Sequence, residues 1–326
     1  MKKEIIKKKQ VITELKENDY VYDIFVVKFK KPIARYKNGY KFELRLGDTT
    51  GEIMLKYWGS ADQGAVERLY RSISEDDVII AEGRVNEYNK ALEISSNDES
   101  KIEVVSEEQY NKIDFVPVSS KDLDKMMAEI KSHVSSVKDK DIRMILDAFF
   151  NDESFVEKFR VAPAGMYKHH GWVGGLAEHT LECVSLVLKY AELYPKLDKD
   201  LMVAGAILHD IGKIDELEIK TSIRVSFKGM MEKHISLGYV MFVEMLTEVV
   251  VPEEIKTKLG NILLSHHGYF EYGSPVVPAT PEAWAVHFAD NTSAKLDFLS
   301  KLRSEGKDKT DDRFIYNKEF GNVLIR

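Results

Sequence analysis

Nine histidines punctuate this 326-residue chain, and all of them follow residue 130. His133 sits on a mixed polar segment and belongs to no pattern. The other eight, His169, His170, His179, His209, His234, His266, His267 and His287, fall on or beside apolar segments with helical spacing. A lone imidazole on a helix is ordinarily a hydrogen-bonded core or surface residue. Eight that interrupt helices able to pack together call for a further partner, because burying polar rings without one costs free energy. A metal ion is the simplest such partner. Imidazole and carboxylate without thiolate suit Mn, Fe, Co, Ni or Zn rather than a cysteine-rich structural zinc site. The sharpest stretch is LMVAGAILHDIGK (201–213), where an apolar run ends on adjacent His209 and Asp210. Neighbouring residues cannot share one face of a regular helix. The pair can therefore reach one ion only where the helix stops, and Gly212 is placed to stop it.

The elements that must position these residues change character along the chain. From Tyr20 to about Val105 the segments YVYDIFVVKF, YKFELRL, GEIMLKYW, DVIIAEGRV and ALEIS are short and rich in Val, Ile, Phe and Tyr. KNG, GDTTG and EYNK separate them as turn signals. Five strands with a helix around residues 63–73 fit a small Greek-key barrel of the OB type. Residues 1–105 are assigned to that barrel, and the polar, proline-bearing stretch 106–120 reads as a linker. From Lys121 the apolar residues recur every three or four positions, which predicts an all-α domain over 121–303. Thr280-Pro281 supplies a cap followed by proline in the first helical position. In the C-terminal tail, 304–326, the polar SEGKDKTDDR (304–313) reads as exposed, and FIYNKEFGNVLI after it could dock as a short strand.

Composition bounds the setting. No apolar stretch reaches the ~18 residues of a membrane span, and MKKEIIKKKQ lacks the apolar core of a signal peptide. One cysteine, Cys183, excludes an internal disulfide framework and suits a reducing cytoplasm. Its apolar surroundings assign it to the core. The net charge of −7 is uneven: the first 45 residues carry 13 Lys/Arg against 6 Asp/Glu, and the remainder 34 against 48. A basic start on an acidic body is compatible with a polyanion-holding module, or with a solvated lysine-rich terminus.

The order of these motifs resembles the HD-domain superfamily of metal-dependent phosphohydrolases. Its pattern corresponds to His179 in GGLAEHT, His209-Asp210 in LHDIGK and Asp290 in HFADN, with His234 in MEKHISLG and His266-His267 in SHHG as in the two-metal branch. An OB-like barrel ahead of such a domain is similar to the YhaM-type bacterial 3′–5′ exoribonucleases, over most of residues 10–303. The resemblance implies that His179, His209, Asp210 and Asp290 hold one divalent ion. Asp210 would bridge to a second, held by His234 and His266 with His267 beside them. Mn²⁺ is the first expectation, with Co²⁺, Fe²⁺, Ni²⁺, Zn²⁺ and Mg²⁺ as alternatives. It further implies a phosphodiesterase that removes nucleotides from the 3′ end of single-stranded RNA, and of single-stranded DNA in some members. A homo-oligomer is compatible with the chain.

Other roles follow from position in the motifs. Asp210 would orient the nucleophile, and Lys213 would contact the scissile phosphate unless it merely complements a helix dipole. Lys295, His169 and His170 are candidates for substrate positioning or for packing, and His287 is expected to pack on Trp284. OB folds hold single strands on aromatic rings and a basic groove. The candidates are Phe42, Tyr57 and Trp58 with Lys28, Lys30, Lys41 and Lys56, although strand aromatics commonly belong to the core. The competing reading is an HD phosphohydrolase acting on nucleotides or cyclic dinucleotides, with the barrel regulatory. A nonenzymatic strand-binding protein would have no need of the intact ligand set.

Overall fold

Alternating apolar residues dictate the first half of the computed structural model, which describes residues 5–89, 91–166, 169–309 and 312–326. The strands are β1 (Tyr20–Tyr36), β2 (Gly39–Gly47), β3 (Glu52–Trp58), β4 (Val78–Tyr88), β5 (Ala91–Asn97) and β6 (Ile102–Val105). They run in the order β1-β2-β3-β5-β4-β6, and a further β1–β4 pairing closes the barrel. One long strand serves both partners. Tyr20–Val26 pairs with β4, while Val26–Tyr36 pairs with β2 through register shifts at Val27/Phe29 and Lys31/Ala34. Such bulges bend a strand enough to close a small barrel. Helix α1 (Gln63–Ser72), capped by Asp62, follows β3 and buries Val66. Val21, Phe25, Val27, Leu44, Leu55 and Ile94 fill the interior.

The stretch expected to be a linker is not one. Ile24 and Val26 project from the opposite face of β1 and are fully buried. Tyr110 and Phe115 cover them, together with Val78, Ile80 and Val105. The chain divides at Pro117/Val118 into two units, Met1–Pro117 with Ile219–Ser222, and Val118–Glu218 with Ile223–Arg326. Residues 106–117 therefore belong to the barrel's second core. Val118 forms a bridge to Val173 in the other unit's own framework.

In the second unit the helices are α2 (Leu123–Ser136), α3 (Lys140–Phe150), α4 (Glu153–Val161), α5 (Gly175–Leu193), α6 (Lys199–Leu208), α7 (Lys213–Glu216), α8 (Phe227–Met245), α9 (Glu253–Ser265) and α10 (Pro281–Lys309). Asp122, Asp139, Asp152 and Asp198 cap α2, α3, α4 and α6 by accepting first-turn N–H bonds. Thr280 does the same for α10, 3.1 Å from the Ala283 nitrogen. Every residue of α6 from Leu201 to Leu208 is buried, so a helix apolar on all sides is what this position requires. It packs against α5, α9 and α10. Gly205 permits this, since a Cβ there would lie 2.9 Å from the Ile262 side chain.

The unit is not wholly helical. The hairpin β7 (Leu217–Ile219) and β8 (Ile223–Val225) follows α7, and β9 (Phe314–Asn317) pairs with β10 (Gly321–Leu324) in the tail. Ile325 is fully buried against α10 at Gly306. The FIYNKEFGNVLI segment thus docks through Ile325, as its sequence allowed, while Phe314, Tyr316 and Leu324 stay exposed, and α10 runs past residue 303. Among the described residues no helix is long and apolar enough to cross a membrane.

Phe115→Ala is predicted to destabilise the protein by roughly 3 kcal/mol, the cost of truncating a buried Phe. Urea denaturation followed by circular dichroism measures it. A loss under ~0.5 kcal/mol, typical of an exposed connector, would contradict the packed assignment.

Candidate metal centre

Helix ends deliver the reactive groups. His209 is the residue after α6 and Asp210 lies in the following turn, so their side chains converge with Nε2 3.3 Å from Oδ2. Gly212 does not end the helix by adopting a left-handed conformation, because its φ is −65°. Its absent side chain matters instead. A Cβ would stand 2.0 Å from the His234 carbonyl oxygen, so glycine is what lets α8 approach the pair. Helix α8 is itself interrupted at Lys233 (φ 62°, ψ 155°), immediately before His234. A non-glycine residue held at positive φ is strained, and strain of this kind concentrates at functional sites.

Two clusters of donors flank Asp210, one on each oxygen. On the Oδ2 side, His179 Nε2 lies 3.4 Å away, 3.3 Å from Asp290 Oδ1 and 3.2 Å from His209 Nε2. On the Oδ1 side, His266 Nε2 stands at 3.5 Å and His234 Nε2 at 3.6 Å, with His267 Nε2 3.3 Å from His234 Nε2. His179, His209, Asp210 and Asp290 form one group able to hold a metal, and His234, His266 and His267 another. Lys213 Nζ closes on Asp210 Oδ2 at 2.6 Å. It is the first residue of α7 and is buried, which rules out a solvated lysine complementing a helix C-terminus.

The rings are set by what their other nitrogens do. His209 Nδ1 donates to the Ala206 carbonyl at 2.9 Å, His266 Nδ1 to Leu263 at 2.7 Å and His267 Nδ1 to Tyr272 at 2.9 Å. A carbonyl only accepts, so Nδ1 carries the hydrogen and Nε2 presents a lone pair. His179 Nδ1 meets Ser293 Oγ at 2.9 Å, and that hydroxyl donates to Glu182 at 2.7 Å. Glu216 takes His234 Nδ1 at 2.8 Å. Burial lowers the pKa of His266, against the pull of Asp210, and of His267, so both are neutral at pH 7.

A divalent cation fits this donor set. His266 Nε2 and Asp210 Oδ1 are buried without hydrogen-bond partners, two acceptors facing each other. A cation between lone pairs relieves that arrangement, and nitrogen–oxygen donors without thiolate match a transition or alkaline-earth ion. Burial works against ionisation of Asp210, but the Lys213 ammonium beside it holds its pKa well below the carboxylate range.

The remaining candidates separate. Lys213, Lys295 and His169 line a cavity of about 510 Å³ together with His267, His287 and Asp290. His169 is pushed down to about 3, by burial and then by Lys213. His170 is buried away from the cavity lining, its Nε2 3.3 Å from Glu182 and its backbone nitrogen 3.0 Å from Asp297. His287 packs on Trp284 with ring centroids 5.7 Å apart. Cys183 is fully buried, its sulfur 3.7 Å from His179 Nε2. Ser293, Glu182 and Glu216 were not foreseen. Their signal was helical or near-helical spacing of three residues from Asp290, His179 and Lys213.

On the barrel, Phe42 and Tyr57 are buried and stacked on each other, so they are core rather than platforms. Lys30 is spent on the carbonyls of Tyr70 and Ile73, and the Lys28 stem lies over Gly47. Trp58 is half-buried beside Tyr36, with Lys41 5.0 Å from its ring. Lys56 lies over Tyr88 and Arg45 beside Phe29, two exposed aromatics that sequence reading passed over.

The HD domain model matches residues 176–295 and the OB-fold nucleic acid binding domain model residues 26–104. Fold and site therefore define an OB-fold joined to an HD domain, the latter a metal-dependent phosphohydrolase class. The 3′–5′ exoribonuclease YhaM of Bacillus subtilis is 31% identical over 266 residues, 81% of this chain and 82% of that protein. Its counterpart in Bacillus licheniformis is 30% identical over the same length and shares. The chain belongs to the YhaM family of 3′–5′ exoribonucleases. Among solved structures, the OB domain of Ta0387 from Thermoplasma acidophilum aligns with 30% of this chain and 86% of that domain, at 20% identity and a TM-score of 0.24.

Burial opposes a charge on His179, but the Asp210 and Asp290 carboxylates beside its Nε2 hold its pKa well above the ordinary imidazole value. The ring is then protonated at pH 7 and must lose that proton to become a ligand. Calorimetric titration with Mn²⁺ in buffers of different ionisation enthalpy is predicted to reveal release of about one proton per chain. A binding heat independent of the buffer would contradict this.

Proposed function

We propose that this protein is a divalent-metal-dependent 3′–5′ exonuclease that hydrolyses phosphodiester bonds of single-stranded RNA. The observation that carries this reading is the pair of histidine clusters facing opposite oxygens of Asp210, in a chain of the YhaM family. His179, His209, Asp210 and Asp290 would hold one ion, and His234, His266 and His267, with Asp210 shared, a second. Mn²⁺ is the expected ion. Divalent metal there supplies a Lewis acid for the phosphate oxygens and lowers the pKa of a bound water.

The protein's own groups set up the reaction around that chemistry. Asp210 is kept ionised by Lys213, so it would act as an acceptor that orients the attacking water. Lys213 stays charged despite burial, because Asp210 and Asp290 raise its pKa. It borders the cavity and would contact the scissile phosphate. Lys295 offers a second cation there, and His169, held neutral, offers a hydrogen bond rather than a charge. His170 acts behind the site by holding Glu182 and Asp297 in place. The barrel holds the single strand through Trp58 and the neighbouring cation–aromatic pairs.

Asp210→Ala is predicted to lower activity by more than the roughly 10–100-fold that outer partners of a metal ligand contribute, while circular dichroism stays that of the parent. The assay is a time course on 5′-labelled single-stranded RNA with Mn²⁺. Stepwise shortening by the parent, absent in the variant, is the expected result. An intact polymer with small nucleotides consumed would replace this reading with a nucleotide phosphohydrolase.

A further inference from the structure

The cavity beside the histidine clusters opens onto aromatic surface to which the metal-centred chemistry gives no role. Tyr272 lines that cavity. It belongs to the loop after His266 and His267, turned at both ends by left-handed glycines, Gly268 (φ 84°) and Gly273 (φ 91°). The loop is pinned to the site: the Tyr272 carbonyl accepts from His267 Nδ1 at 2.9 Å. A Cβ on Gly268 would stand 2.5 Å from the His287 ring. Even so, Tyr272 is 60% exposed and Tyr269 46%.

The rings continue outward from there. Tyr269 lies 6.0 Å from Tyr272, Trp284 5.6 Å from Tyr269, and Phe288 5.7 Å from Trp284. Tyr272 meets Tyr269 at 81° and Tyr269 meets Trp284 at 62°. An edge-to-face meeting occupies one face of one ring and leaves others for a further partner. Phe288, 51% exposed, then borders a groove of about 470 Å³ that Tyr190 of α5 and Tyr194 just after that helix complete. Trp284, between Tyr269 and Phe288, is half-buried, and exposed apolar surface clustered in this way marks a binding site.

We propose that this run of rings is the track on which the 3′-terminal bases of a single-stranded substrate stack. The last base would lie on Tyr272, and those before it on Tyr269, Trp284 and Phe288. The occupant follows from continuity. The track begins inside the cavity that holds Lys213, Lys295 and the Asp290 carboxylate, so whatever lies on it reaches the reactive groups. Cations for phosphates beside aromatic faces for bases is the combination that single strands require. Every base has such a face, so the site tolerates any sequence. This inference rests on the exonuclease reading above and names the binding site it needs on the HD domain itself.

The test compares single-stranded RNA carrying ordinary 3′-terminal bases with the same strand made abasic at its 3′ end, both 5′-labelled. For the parent protein, removal of the terminal bases is expected to raise KM about tenfold. Tyr272→Ala should raise KM on ordinary RNA by about the same factor, while on the abasic strand parent and variant converge. Tyr272→Phe, which keeps the ring and the backbone carbonyl, should retain the parent's discrimination. Equal penalties for Tyr272→Ala on both strands, no change in KM, or a change of oligomeric state in place of a KM effect would overturn the inference. A parent protein that never shortens RNA overturns the exonuclease reading itself. Normal shortening without base discrimination removes the track alone.

Discussion

A single buried carboxylate organises the second unit of this protein. Asp210 is 2% exposed, and its two oxygens face separate groups of imidazoles. An ionised carboxylate in such a place is expensive unless its charge is compensated. Lys213 at 2.6 Å compensates it on one side, and donors from α5, α6, α8, α9 and α10 surround the rest. Most of what is unusual in the backbone nearby serves this convergence. Gly212 gives α8 room, the break at Lys233 turns α8 just before His234, and α6 is apolar from Leu201 to Leu208 because it runs through the core to reach the site.

The same local device appears twice. His209 follows α6 and His266 follows α9, each with Nδ1 bonded to the carbonyl three residues earlier. The last turn of a helix leaves carbonyls without intrahelical partners. An imidazole placed there satisfies one of them and fixes its own tautomer in the same bond. The next residue, Asp210 or His267, leaves the helical path and can point at a neighbouring centre. This accounts for paired donor side chains at both helix ends and for glycine soon after each pair, although the two glycines act differently. Gly212 admits a neighbouring helix, whereas Gly268 takes a left-handed turn against His287.

Much of this was legible in the sequence, and what escaped has physical reasons. The barrel strands and the helices followed from periods of two and about three and a half. The histidines and aspartates around Asp210 were found through motif order and its resemblance to a known superfamily, since spacing alone does not bring five elements together. Residues 106–120 read as a linker because they are polar on average, although 106–117 belong to the barrel's unit. The contrary signal lay elsewhere, in the unbroken IFVV run of β1, which is apolar on both faces and needs cover on both. Phe42 and Tyr57 looked like platforms only because residue type does not say which face of a strand is inside. The 217–225 hairpin is too short for any periodicity to register. Ser293, Glu182 and Glu216 bind ring nitrogens, and nothing in the composition distinguishes them from surface polar residues.

In the proposed reading Asp210 would be shared between two metal positions, since its two oxygens face separate groups of imidazoles. Anomalous scattering from crystals soaked in Mn²⁺ tests this most directly. The predicted result is two peaks flanking Asp210 and both in contact with its carboxylate, one among His179, His209 and Asp290, the other among His234, His266 and His267. A single peak, or a second one that does not touch Asp210, would contradict it.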